Sequence, residues 1–152
     1  PVEALTVMAK IAEQTEKNIN YKKRFLNTEF QTSEAVDAIS HATCGMAIDI
    51  GAKAIVACTL SGMTARMISR FRSPVDILGI TTSERTLRKL ALSWGVTPAM
   101  SVEYKSTDVL FYVATQLAKE KFNLQPGDKI VITGGVPNGQ SGNTNLIKVE
   151  VI

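Results

Sequence analysis

Thr59, Ser61 and Thr64 place hydroxyls at three positions within six residues, with Gly62 among them. They follow without a break on the apolar run Ala54, Ile55, Val56, Ala57 and Cys58. That run is short and uninterrupted, as a parallel strand covered on both faces should be, and it predicts a strand, a tight turn and a helix start. Hydroxyls and backbone N–H groups hold anions without a metal. Glycine lets the backbone come close, and a helix start adds free N–H donors and a partial positive charge. The chemistry this pattern offers is recognition of an anion, in the first place a phosphate. The same residues also fit an ordinary strand-to-helix turn with Ser61 as N-cap.

The remaining reactive side chains offer less. His41 is the only histidine. A general base needs a positioned partner and none is legible beside it, so a packing or helix-surface role is expected. Cys44 and Cys58 form neither a disulfide framework nor a metal-ligand spacing. No acid pair, activated nucleophile, histidine–cysteine cluster or Walker sequence stands out. The residues point to a small-ligand binding module rather than to an active site.

Bulk properties agree. The 152 residues, 45% hydrophobic and 20% charged, fit one domain with a real core. A net charge of +3, scattered along the chain, predicts no nucleic-acid partner. No run of about 18 apolar residues predicts a membrane span, and no leader opens the chain. Two cysteines without a framework suit a reducing cytoplasm. A start at Pro1 without a preceding Met suggests a segment of a longer protein.

The elements around the turn are legible from periodicity. Val2, Leu5, Met8, Ala12, Thr15 and Ile19 recur at helical spacing and predict a helix from Pro1 to about Tyr21. Residues 20–31 are polar and aperiodic and read as a linker, which assigns the first helix to a preceding unit. Thr32 is expected to cap a second helix that Gly51 ends. Helix 62–69 carries Arg66 and Arg70 on one face. A strand over 75–80 leads to Thr82 or Ser83 as cap of helix 84–92. Pro98 marks a third strand, 96–102, as an edge. Ser106, Thr107 and Asp108 start a helix running through Lys121, followed by a fourth strand over 129–133. The loop 134–145 leaves too few residues for a crossover, so the last strand, 146–152, must return antiparallel.

The expected fold is α/β: a three-layer sandwich on a five-stranded, mostly parallel sheet with the last strand antiparallel. An order third-second-first-fourth-fifth puts the switch point between the first and fourth strands. Ligands sit there, at the strands' carboxyl ends. Turn 59–64 would then lie beside loop 134–145, with Gly135, Asn138, Gly139, Ser141, Gly142, Asn143 and Thr144 as candidate lining. The last strand puts Ile147, Val149 and Val151 on one face and offers an apolar edge to a second copy.

These residues resemble the pyruvate kinase family. Pro1-Val2-Glu3-Ala4 before an amphipathic helix is similar to the segment leaving that family's catalytic barrel. Thr59-Leu60-Ser61-Gly62-Met63-Thr64-Ala65-Arg66, Glu84-Arg85-Thr86, Leu90-Ala91-Leu92 with Trp94-Gly95-Val96, Ser106-Thr107-Asp108 and Gly127-Asp128 also match. So does the closing Gly134-Gly135-Val136-Pro137 with Gly142-Asn143-Thr144-Asn145-Leu146. The resemblance covers essentially the whole chain. It implies a bacterial-type C-terminal domain over 25–152, with the last barrel helix and the start of a linker over 1–24. It further implies a parent enzyme that transfers phosphoryl from phosphoenolpyruvate to ADP in glycolysis, using magnesium and potassium. Its catalytic and metal residues lie in the barrel, so none is carried onto this chain, which is expected to be inactive alone.

The resemblance implies allosteric regulation. The effector phosphate would sit on Thr59, Ser61, Gly62 and Thr64, with the loop over its organic part. Leu60 and Met63 are apolar where fructose-bisphosphate-activated members often carry basic residues, and the loop has no Lys or Arg. A sugar or nucleotide monophosphate is therefore expected rather than a bisphosphate. Other implied partners are the catalytic barrel and further copies: a dimer for this chain through Ile147, Val149 and Val151, a tetramer for the parent. The alternatives are a free-standing sensor of a phosphorylated metabolite and a purely structural interface domain.

Overall fold

A computed structural model describes residues 1–136 and 142–152. In chain order the elements are α1 (Val2–Glu16), α2 (Tyr21–Asn27), α3 (Ala35–Asp49), β1 (Ala54–Cys58), α4 (Met63–Arg70) and β2 (Asp76–Thr81). Then follow α5 (Glu84–Leu90), β3 (Val96–Met100), α6 (Thr107–Phe122), β4 (Lys129–Gly135) and β5 (Thr144–Val151).

The sheet order is β3-β2-β1-β4-β5, parallel except for the β4–β5 pair, as the connection lengths require. Chain direction across the sheet reverses after β3. Right-handed crossovers therefore put α4 and α5 on one face and α6 on the other. Alternation along the central strands serves both layers. Ile55, Ala57, Ile77 and Val131 pack with Cys44, Ala47, Ala65, Ile68, Phe71 and Leu90. Val56, Leu78, Ile80, Ile130 and Ile132 pack with Phe111, Ala114 and Ala118 of α6. Each such aliphatic side chain contributes about 1.5–3 kcal/mol on burial. An exposed pair such as Lys17–Glu13 contributes about 0–1 kcal/mol. The doubly covered sheet, not surface charge, fixes the strand ends where a ligand would bind.

The N-terminal region differs from expectation. The first helix stops at Glu16, and residues expected to be linker form α2. Asn20 starts α2 by accepting the Lys23 N–H at 2.8 Å. Phe25 anchors it, its ring 5.0 Å from that of His41 and 5.6 Å from that of Phe30. One buried residue in a two-turn helix leaves no periodicity to read, and Lys22, Lys23 and Arg24 mask it. The boundary expected after residue 24 falls inside this helix. His41 packs among Phe25, Phe30 and Phe71, as its lack of a partner implied. The N-cap of α3 is Glu34, not Thr32. Helix α1 buries no residue, and Val2, Leu5, Met8 and Ile11 are all more than 60% exposed.

Candidate functional site

β1 ends at the switch point, and residues 59–62 turn the chain into α4. Thr59 donates its N–H to the Ile80 carbonyl (2.9 Å), which ties the turn to β2. Its hydroxyl accepts the Gly62 N–H at 3.0 Å and closes the turn. Gly62 is the N-cap of α4, left-handed at φ 82°. Ser61 is therefore not the N-cap; it stands exposed beside the helix start. Glycine is required at 62 twice over. The left-handed backbone disfavours a side chain, and a Cβ there would sit 3.1 Å from Thr86 Cγ2 and 3.3 Å from Leu90 Cδ2. The first N–H groups of α4, those of Met63 and Thr64, have no intrahelical acceptor.

The other half of the site is the base of loop 134–145. The Thr64 and Thr144 hydroxyls hydrogen-bond at 2.7 Å, both buried, across 80 residues of sequence. This bond brings the turn and the start of β5 together. A Cβ at Gly135 would run into the Asn143 carbonyl, so only glycine admits the returning chain. The Asn143 amide donates to the Val136 carbonyl at 2.9 Å. Asn145 donates to that carbonyl at 2.7 Å and accepts the Val136 N–H at 2.9 Å. Gly142 is left-handed at φ 80°. Asn138, Gly139 and Ser141 lie outside the described residues. Of the expected donors, Asn143 and Thr144 are thus engaged within the chain.

A cavity of about 180 Å³ opens beside the turn on the α6 side, with Thr59, Leu60, Val102, Tyr104, Phe111 and Leu146 in its wall. Its described lining contains Glu103 and no Lys or Arg. Arg70 does not add charge to the turn, because it pairs with Asp37 of α3 at 3.2 Å. The Cys58 thiol at the cavity wall is pushed up to about 12 by burial and is neutral at ordinary pH. The site offers N–H and O–H donors, with Arg66 exposed in the first turn of α4.

Sequence reasoning missed two threonines. The Leu60 carbonyl accepts from Thr81 Oγ1 at 3.3 Å and from Thr86 Oγ1 at 3.1 Å. The hydroxyl-rich stretch 81–83 was a visible signal, but it reads as a helix cap. Ser83 does cap α5, accepting the Thr86 N–H at 3.3 Å.

On β5 the faces divide as the alternation predicts. Ile147 packs into the α3 side, while Val149 and Val151 are 42% and 59% exposed. Lys148 and Glu150 pair on the other face at 2.6 Å. Among the described residues no group of three or more His, Cys, Asp or Glu could hold a metal ion. No described helix is long and apolar enough to cross a membrane.

Comparison with known proteins agrees with this geometry. Residues 37–150 match the family described as pyruvate kinase, alpha/beta domain. Over its whole length the chain is 44% identical to a pyruvate kinase of Clostridium acetobutylicum, covering 32% of that protein. It is 40% identical to pyruvate kinases of Staphylococcus epidermidis and Staphylococcus aureus, covering 26% of each. The chain thus spans about a third or less of the relatives it matches. With the family match over residues 37–150 and relatives 40–44% identical along its whole length, the chain belongs to the pyruvate kinase family, as its C-terminal alpha/beta domain.

Proposed function

We propose that this domain regulates and joins the subunits of a pyruvate kinase by binding a phosphate monoester on turn 59–64. The observation that carries the reading is the Thr64–Thr144 bond, which sets an N–H-rich helix start against the base of a glycine-rich loop. The phosphate would meet the N–H groups of Ser61, Met63 and Thr64 and the Ser61 hydroxyl. Thr59 Oγ1 already accepts from Gly62 and keeps its own proton to donate. A helix end supplies about 0.3–1 kcal/mol where exposed, so affinity should be modest. The described cavity lining holds no Lys or Arg for the second phosphate of a bisphosphate, which favours a sugar or nucleotide monophosphate.

The parent reaction is phosphoryl transfer from phosphoenolpyruvate to ADP, in the cytoplasm, with magnesium and potassium. The acidic residues described here do not converge on a metal site. On the resemblance to the family, both ions and the chemistry would belong to the catalytic barrel of the parent enzyme. Loop closure over the ligand would move Thr144, the first residue of β5, and so couple the pocket to a subunit edge at Val149 and Val151. Such coupling needs a ligand that favours one of two arrangements.

The test is thermal unfolding with inorganic phosphate, a hexose monophosphate, a nucleoside monophosphate and a sugar bisphosphate. Ligand at a hundred times its Kd should stabilise by about 2.7 kcal/mol, or about 5–10 °C for a chain of this size. Ser61→Asp puts a carboxylate where the phosphate should lie and disturbs no cap, so it should abolish the shift and leave the fold. A shift that survives Ser61→Asp would move the site off the turn. No shift with any monophosphate would leave the structural-interface reading in its place.

A further inference from the structure

We propose that Thr81 and Thr86 are positioning residues that aim the Ser61 N–H at a bound phosphate by holding the Leu60 carbonyl from behind. This rests on the phosphate reading of the turn. The Leu60 carbonyl and the Ser61 N–H belong to one peptide unit, and in a planar trans peptide they point in opposite directions. Two hydroxyls on the carbonyl, at 3.3 and 3.1 Å, therefore fix the direction of the N–H on its far side. Thr81 and Thr86 are 2% and 7% exposed, and Ser61, across the same peptide, is exposed. The Ser61 N–H has no acceptor among the described residues. The geometry leaves that donor facing outward.

Both threonines are themselves held. Thr81 Oγ1 accepts the Ser83 N–H at 3.3 Å, which leaves its proton for Leu60. Thr86 sits in the first turn of α5, its N–H bound to Ser83 Oγ at 3.3 Å. Its methyl group lies against Gly62, where a Cβ would meet it at 3.1 Å. The end of β2 and the start of α5 thus form a rigid backing for the turn. An anion site built from N–H groups depends on such pre-set directions, because a peptide that must rotate on binding loses part of the affinity.

Thr86→Val keeps the methyl contact and removes the hydroxyl, whereas Thr86→Ser keeps the hydroxyl. The experiment follows the Ser61 amide resonance of 15N-labelled protein during titration with inorganic phosphate. In the parent the Ser61 amide should move with phosphate. Thr86→Val should weaken binding about three- to tenfold, and Thr86→Ser should stay within about twofold of the parent. An unchanged affinity in folded Thr86→Val overturns the inference while leaving the phosphate reading intact. A Ser61 amide that ignores phosphate in the parent overturns the phosphate reading itself, and this inference with it. Should Thr86→Val not fold, Thr81→Val removes the other hydroxyl from the same carbonyl and is read the same way.

Discussion

The buried hydroxyl pair of Thr64 and Thr144 offers a measurement whose sign pattern is hard to obtain by accident. The residues are 4% and 5% exposed, and their oxygens lie 2.7 Å apart. Replacing either by valine leaves the partner hydroxyl buried without its bond, which costs about 1–3 kcal/mol. Replacing both removes the two polar groups together and should be nearly neutral. The cycle therefore predicts a coupling close to the sum of the two single losses, about twice either one, between residues 80 apart in sequence. With a urea slope of about 2 kcal/mol/M, each single variant should unfold roughly 1 M earlier than the parent, and the double variant close to it. Trp94, the only tryptophan, supplies a fluorescence probe, and far-UV circular dichroism an independent one. It responds to unfolding because it lies 4.8 Å from the Tyr21 ring and donates to Glu16. Additive losses, with the double variant the least stable, would refute the bond and the contact it makes between turn and loop.

Three further outcomes follow from single positions. Gly135→Ala puts a methyl group into the Asn143 carbonyl, so it should destabilise by about 1–3 kcal/mol, read by urea unfolding. Val149→Pro should dissociate a dimer while sparing the fold. Ile152 donates to Asp128 at 2.8 Å, so the antiparallel alternation turns the Val149 N–H away from β4, and light scattering should show loss of the dimer. Burial raises Cys44 and Cys58 from 9.0 to about 12, so the thiols should react slowly with a thiol reagent near pH 8 until urea exposes them. Because the folded values are the raised ones, their contribution to stability is full below about pH 9 and lost between about 9 and 12.

The strand order was legible because two independent regularities agree. Apolar runs such as 54–58 mark strands covered on both faces, and the loop before β5 is too short for a crossover helix. Gly51 at the end of α3 and Ser83 at the start of α5 were legible for a local reason: each acts on neighbours within a few residues. Helix α2 was not, since Phe25 meets His41 from another helix and a two-turn helix carries no period of its own.

Hydroxyls divide along the same line. A threonine near a glycine-bearing turn announces hydrogen bonding but not its partner, because its oxygen both donates and accepts. Thr59 takes a local partner, the Gly62 N–H, and that is readable from spacing. Thr64 takes Thr144, and Thr86 takes Leu60, across 80 and 26 residues, where no spacing rule reaches. The sequence thus announces where an anion could be met, while the direction of each donor is decided by tertiary contacts behind the turn. That division explains why a site of this kind reads as a cluster of ligands in sequence but as one exposed layer and one buried backing in space. Ser61 belongs to the exposed layer, and Thr81 and Thr86 to the backing. Substitutions in the exposed layer should change what binds, whereas substitutions in the backing should change how well any phosphate is held.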